Sequence, residues 1–187
     1  MRPALLVVSL LAAFGPPVDM LAGDQSVNAG SAVIQDFEKR VSAYLQLRRN
    51  AESSLHALKA TDSPEKIADH QNELAHAVRN ARKSAREGDI FTSPAGVEIR
   101  RLLRFAMRPA DAPHVRQSLQ HAEPVRLHLH VGDTYPAHVP LQSTPPTILE
   151  NLPKLPPEIE YRITGRDLVL LDTKANLVLD IIENVFP

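Results

Sequence analysis

Two histidines that alternate with apolar residues have the spacing of a metal site. His128 and His130 are two residues apart, so in a strand both side chains lie on the same face. His138 or Asp133 would supply a third ligand, and imidazole ligands of this kind bind zinc and copper. Arg126 shares that face and would repel a cation. If these histidines bind a metal despite Arg126, the protein would be a metal-dependent or His-dependent hydrolase of the periplasm, which is the alternative function.

Basic side chains are concentrated between residues 78 and 116, where nine bases stand against four acids, a net charge of +5. Such a surface attracts phosphates or polyanionic glycans of the cell envelope, or it is simply solvated or attracted to the acidic C-terminal region of the chain. Nucleic acid is not expected, because no aromatic platform accompanies the basic residues. The candidate anion-binding residues are Arg79, Arg82, Lys83, Arg86, Arg100, Arg101 and Arg104.

The composition excludes several chemistries. The 187 residues include no Cys, which removes disulfides, thiol catalysis and thiolate metal sites. No Gly-rich phosphate loop, nucleophile elbow or HExxH motif is present. We therefore predict no catalytic residue and no cofactor. A non-enzymatic protein that acts through a protein partner or by self-association is the leading expectation.

An apolar stripe with three-four spacing runs from Ile34 to Leu58, interrupted by Arg48, and predicts a helix of roughly 25 residues. Ser63 and Pro64 then provide a cap and a first helical position for a second helix that ends near Gly88. The two helices form an antiparallel hairpin, which either packs within the chain or forms a homodimer. The predicted buried stripe of the second helix is Ile67, His70, Leu74, Ala77, Ala81 and Ala85.

The C-terminal region alternates with a period of two and predicts three antiparallel strands. A tight turn at Gly165-Arg166 sets a register with Ile163 opposite Leu168, Arg162 opposite Val169 and Tyr161 opposite Leu170. Asn176 is the expected left-handed residue of the next turn. The third strand would then pair Leu171 with Val178 and Val169 with Asp180, which brings Arg162 and Asp180 to one face as a possible ion pair.

Between the hairpin and the sheet, a third helix is expected from Pro94 to about Met107 and a short fourth helix to about His121. Residues 125–131 would add a fourth strand. A proline-rich loop over residues 136–157 packs across the sheet, with one helical turn near Leu149 and Leu152.

The N-terminus resembles a secretory signal peptide. Arg2 precedes an apolar run from Ala4 to Phe14, which is too short to span a membrane. We expect residues 1–29 to be the signal, with cleavage between residues 23 and 32. The mature chain would contain no transmembrane span and would be periplasmic or secreted.

Together these patterns predict an α+β protein with an N-terminal antiparallel helical hairpin and two shorter helices, followed by a small, mainly antiparallel sheet of three to four strands. The hairpin takes residues 30–90 and the α+β domain takes residues 91–187.

The segment LPKLPPEIEYRITGRDLVLLDTKANLVLDII, with GDIFTSPAGVEIRRLLR and TYPAHVPL upstream, resembles a group of uncharacterised exported bacterial proteins. The resemblance covers most of the mature chain. It implies export and a shared fold, and it implies no activity, cofactor or partner. A Val-Asn pair of that group is replaced here by His130-Val131-Gly132, which weakens the metal hypothesis.

Overall fold

The computed structural model describes residues 22–107, 113, 117, 127–136 and 144–186, with side chains from residue 29 onward. The predicted signal peptide up to residue 21, nearly all of the predicted fourth helix, and His138 lie outside these residues. Within the described residues, none of the helices is both long and apolar enough to cross a membrane.

The described chain has an α+β architecture, as predicted. Three antiparallel strands in the order β1-β2-β3 follow the helices. The helices are α1 (Ala22–Ser53), α2 (Pro64–Ala81), α3 (Ser93–Ala106) and the single turn α4 (Pro146–Leu149); the strands are β1 (Ile159–Thr164), β2 (Asp167–Asp172) and β3 (Leu177–Ile182).

Helix α1 buries the middle of the predicted stripe, at Phe37, Val41 and Tyr44. The predicted end of the stripe is wrong, because the helix ends at Ser53 and Leu58 lies beyond it, exposed. Helix α2 begins as predicted, with Ser63 accepting a hydrogen bond from the Lys66 N–H and Pro64 at the first position. These apolar and capping patterns are local, which is why the sequence reveals them.

The predicted end of α2 is wrong, and its predicted buried face is confirmed only at Leu74. The helix buries Leu74, Ala75 and Val78, whereas Ile67 is exposed. It ends at Ala81 rather than near Gly88, because Arg82 leaves the helical conformation and its guanidinium contacts the Leu179 carbonyl. Gly88 instead adopts a positive φ of 86° in the turn that follows.

The β1–β2 hairpin has the predicted register around Gly165, whose φ is +60°. Asn176 is left-handed in the β2–β3 turn, and Leu171 pairs with Val178, both as predicted. Beyond that pair a β-bulge adds one residue to β3, so that Leu170 pairs with Asp180 and Val169 pairs with Ile181.

The bulge overturns the expected Arg162–Asp180 ion pair. Asp180 lies on the helix-facing side, where it is fully buried and accepts hydrogen bonds from the N–H groups of Ile90 and Phe91, both at 2.7 Å, and of Gly88 at 2.9 Å. Arg162 pairs with Glu160 instead and lies 5.8 Å from the centre of the Tyr135 ring.

Both faces of the sheet are covered. One face packs against α1, α2 and α3 in a single core, which contains residues from both of the segments predicted as separate domains. On the other face, Val169 and Val178 pack with Tyr135, Leu127 and Leu129.

The described portion of the predicted fourth strand, residues 127–131, is not a strand, so that expectation is wrong. Residues 132–135 run beside β3 and form an isolated bridge between Thr134 and Leu177. The Asp133 carboxylate accepts a hydrogen bond from the His130 N–H at 2.7 Å. This hydrogen bond occupies the His130 N–H, which a strand would need for pairing with a neighbouring strand.

The described part of the proline-rich loop contributes apolar side chains to the core. Leu152 is buried as expected, and so is Ile148 of α4, whereas Leu149 is exposed, contrary to the prediction. The Tyr161 hydroxyl donates to the Pro153 carbonyl at 3.1 Å, which ties the loop to β1.

Replacing Asp180 with Ala will reduce the free energy of unfolding by about 3–5 kcal/mol, because three backbone N–H groups lose their acceptor in the core. Asp180→Asn, which keeps one acceptor oxygen, will lose less. Urea denaturation measures both values. Asp69→Ala, on the exposed face of α2, is the control and should change stability by less than about 0.5 kcal/mol. A loss below about 1 kcal/mol in Asp180→Ala would contradict the anchoring role.

Candidate functional site

A buried ionic cluster joins α1 to the sheet; it consists of Tyr44, Arg48, Glu158 and Asp172. Tyr44 and Arg48 lie one turn apart on the buried face of α1. The Tyr44 hydroxyl donates to Asp172 Oδ2 at 2.5 Å, and Arg48 Nε lies 3.6 Å from the same oxygen. Arg48 Nη2 also reaches Glu158 Oε1 at 3.3 Å. Arg48 is only 3% exposed, so these carboxylates balance its charge inside the protein.

The donors around Asp172 occupy both of its oxygens. Oδ1 accepts hydrogen bonds from the Lys174 and Ala175 N–H groups at 2.8 and 2.9 Å, which shapes the β2–β3 turn. Burial, followed by the nearby Asp172 charge, raises the pKa of Tyr44, so its hydroxyl remains a donor. Arg48 Nε and Nη1 are buried and make no hydrogen bond with the described residues, so Arg48 contributes mainly its charge. Because the Tyr44 hydroxyl and both Asp172 oxygens are engaged, the cluster is arranged to position elements rather than to accept a proton from a ligand.

The predicted anion-binding residues contact several different elements. Arg79 binds the Gly132 carbonyl and Thr134, and Arg82 binds the Leu179 carbonyl and lies over the Tyr44 ring. On α3, Arg100 donates to the Glu183 carbonyl, Arg101 pairs with Glu98, and Arg104 donates to the Arg100 carbonyl.

The structure therefore shows structural partners for five of the seven predicted anion-binding residues. Lys83 and Arg86 make no side-chain hydrogen bond or ion pair with the described residues. The proposed anion surface remains a prediction.

The predicted metal residues are only partly described. His128 and His130 are exposed, and His130 Nδ1 lies 3.4 Å from Asp133 Oδ2. His138 lies outside the described residues. Among the residues that the structure describes, no three His, Asp or Glu side chains are grouped in a way that could hold a metal ion.

An open groove runs between α1 and α2, on the side of the hairpin that does not face the sheet. Its volume is about 1030 Å³. We call it the hairpin groove. Its apolar lining is Leu47, Ala51, Leu55, Ala77 and Ala81, and its polar lining is Asn50, Ser54, Asn72, Glu73, His76 and Asn80.

The hairpin groove is lined by two residues of the α2 stripe that the sequence predicted to be buried. Ala77 and Ala81, expected to be buried, are half-buried and exposed respectively. Small residues at these positions keep the groove open, because they fill little of the space between the helix axes.

No family model matches the chain, and no curated protein or solved structure shows a significant similarity to it. Membership of the exported bacterial group remains a prediction.

The sequence analysis did not predict the buried ionic cluster, although the sequence contains a signal for Arg48 on α1 and for Asp172 on β2. Arg48 interrupts an otherwise apolar stripe, and such a position requires a buried partner. Asp172 ends a largely apolar strand. Pairing these charges needs the distance between α1 and the sheet, which residue spacing alone does not contain.

Replacing Arg48 with Met will destabilise the protein by about 3–5 kcal/mol, because the fully buried Asp172 loses its compensating cation. Tyr44→Phe, which removes one hydrogen bond to a charged acceptor, will cost about 1.5–3 kcal/mol. Thermal and urea denaturation measure both. Arg49→Met, one residue along and exposed, is the matched control. Equal losses for Arg48→Met and Arg49→Met would show that the cluster does not stabilise the fold.

Proposed function

We propose that this protein is an exported, non-enzymatic protein that acts by self-association through the hairpin groove. The observation that supports this most directly is the groove itself, which leaves apolar side chains of two adjacent helices open to a partner. Exposed apolar surface framed by polar residues is typical of protein interaction sites.

The apolar lining of the hairpin groove on α1 comes from a second row of apolar residues beside the buried row. Val41 and Tyr44 face the sheet and are buried. Leu47 and Ala51 lie on an adjacent row and are only half-buried, although they pack against the edge of the same core. A second helix laid along the groove would cover this row and the Ala77–Ala81 row of α2, as in the packing of four-helix bundles.

The polar lining suits a second copy of the same chain. A two-fold interface places identical surfaces against each other, so its polar groups must complement themselves. Amides, hydroxyls and neutral imidazoles both donate and accept hydrogen bonds, and five lining residues carry such groups. Glu73 is the only Asp, Glu, Lys or Arg in the lining. Two copies therefore meet with little repulsion between like charges.

Light scattering over a concentration series will show the mass rising toward twice that of the chain. Ala77→Arg will hold the protein as a monomer, because it places a charged side chain in the apolar strip. Ala60→Arg, the same change in the exposed α1–α2 connection, is the matched control and should still associate.

A cross-linking experiment identifies the surface through which two copies associate. The chain contains no Cys, so Ala81→Cys introduces a single thiol. Mild oxidation should link two copies through this position and not through Ala60→Cys. A wild-type monomer at every concentration, or association that survives Ala77→Arg, would overturn the proposal.

Export is supported by the N-terminal sequence and is compatible with where α1 meets the core. The candidate cleavage positions, between residues 23 and 32, precede Phe37, the first buried residue of the described chain. Phe37 stacks on Phe91 with ring centres 5.5 Å apart. Removal of the preceding residues therefore leaves this contact and the buried stripe of α1 in place.

Protein recovered from a periplasmic extract will begin between residues 23 and 32, as measured by intact mass. A chain that begins at Ser31 will have the stability of the complete chain within about 0.5 kcal/mol, whereas Phe37→Ala will cost about 3–5 kcal/mol. An intact Met1 in the extracted protein would contradict processing, and a large loss in the shortened chain would contradict the packing argument.

A further inference from the structure

A second concave site lies at the end of α1, away from the hairpin groove residues on α2. It has a volume of about 590 Å³ and lies between α1, the α1–α2 connection, α2 and the β2–β3 turn. We call it the basic pocket. Four basic side chains line it, each from a different one of these elements: Arg49, His56, His70 and Lys174.

The only carboxylate in the lining of the basic pocket is already neutralised. Glu52 forms an ion pair with Lys174, and that hydrogen bond lowers the pKa of Glu52 below its ordinary value. Arg49 and Lys174 against Glu52 leave a net charge of +1 (2 − 1). His56 and His70 each add a positive charge when protonated, which raises the net charge to +3.

The end of α1 opposes an anion less strongly than a bare helix C-terminus would. Its last carbonyls would otherwise carry partial negative charge toward the pocket. Here Ser53 Oγ donates to the Asn50 carbonyl at 2.8 Å, and Ser54 donates to the Ala51 carbonyl through both its N–H and its hydroxyl. The Leu55 N–H donates to the Glu52 carbonyl at 2.9 Å.

One wall of the basic pocket is apolar. It includes Leu55 and Leu58, and Leu58 is 42% exposed, so its side chain is accessible to a ligand. A ligand that combined a negative group with a short aliphatic chain would contact both the cationic groups and this wall.

We propose that the basic pocket binds a small organic anion, with its negatively charged group near Arg49, His56 and His70 and its aliphatic end against Leu58. The charged group is a sulfate, phosphate or carboxylate, which share this chemistry. Binding tightens as the pH falls, because each imidazole that gains a proton adds a positive charge. The basic pocket shares Leu55 with the hairpin groove, but its basic side chains lie outside that groove.

Hexyl sulfate is a suitable probe, because its charge stays the same while the imidazoles titrate. We expect NMR titration to shift the imidazole signals of His56 and His70, and the dissociation constant to fall about tenfold from pH 8 to pH 5.5. Hexanol, the neutral counterpart, should bind at least about tenfold more weakly at pH 5.5.

Variants separate the proposed contacts from general surface binding. The double change His56→Gln/His70→Gln should abolish the pH dependence, and Arg49→Gln should weaken binding at both pH values. His76→Gln, in the hairpin groove, and Lys59→Gln, in the connection, are matched controls that should leave binding unchanged.

Three results would overturn the proposal. The first is no shift at His56 and His70 at hexyl sulfate concentrations up to about 10 mM. The second is affinity and pH dependence that survive the double histidine change. The third is equal affinity for hexanol, which would make the pocket merely apolar. Loss of self-association in Ala77→Arg leaves these outcomes unaffected, so the two proposals fail separately.

Discussion

The contact between α1 and Asp172 determines where most of the described structure lies. Asp172 is fully buried at the end of the central strand, and it receives donors from a helix on one side and from a turn on the other. A buried carboxylate without such donors would cost several kcal/mol, so the helix and turn can take few other positions. Because α1 is fixed in this way, α2 and the hairpin groove are placed by packing against it.

Asp180 has a related role on the neighbouring strand. It binds the N–H groups of the segment that connects α2 to α3, and this segment would otherwise bury unpaired donors. Both aspartates lie on the helix-facing side of the sheet. Each therefore joins a strand to a helix, turn or connection outside the sheet. Apolar packing alone would let that segment slide along the strand. Apolar contacts supply the larger share of stability, and these directional bonds supply the alignment.

The sequence predicted the elements of this fold that depend on local patterns. The α1 stripe, the Ser63–Pro64 start of α2, and the Gly165 hairpin with its register all follow from residue spacing and turn chemistry. The predictions went wrong where distant groups compete with a local pattern. Helix α2 stops early because Arg82 and residues 88–91 bind groups on β3, and no feature near Gly88 reveals that.

The candidate sites also depend on contacts between residues that are distant in sequence. The sequence analysis left open a homodimer through the hairpin, but it predicted that Ala77 and Ala81 are buried and so did not predict the groove that they line. The basic pocket was not predicted either, because Arg49, His56, His70 and Lys174 come from segments separated by up to 125 residues (174 − 49), and only the folded chain brings them together. Many of the predicted anion-binding arginines, by contrast, bind backbone carbonyls. The density of basic residues along a sequence does not distinguish a ligand site from a set of arginines that bind the protein's own backbone.

The extra residue in β3 also constrains how the length of this chain can change. Side chains alternate across a strand, so a segment has an even or odd parity relative to the core, and Leu179 shifts that parity by one. If β3 kept Leu179 and paired regularly with β2, Asp180 would lie opposite Val169 and would face away from residues 88–91. Removing Leu179 would also restore a regular ladder, but it would leave Asp180 opposite Leu170 on the helix-facing side. Loss of the extra residue therefore keeps the orientation of Asp180, whereas straightening the strand around that residue reverses it. The bulge in β3 is in this way tied to the α2–α3 connection, although the two segments are about 90 residues apart in sequence.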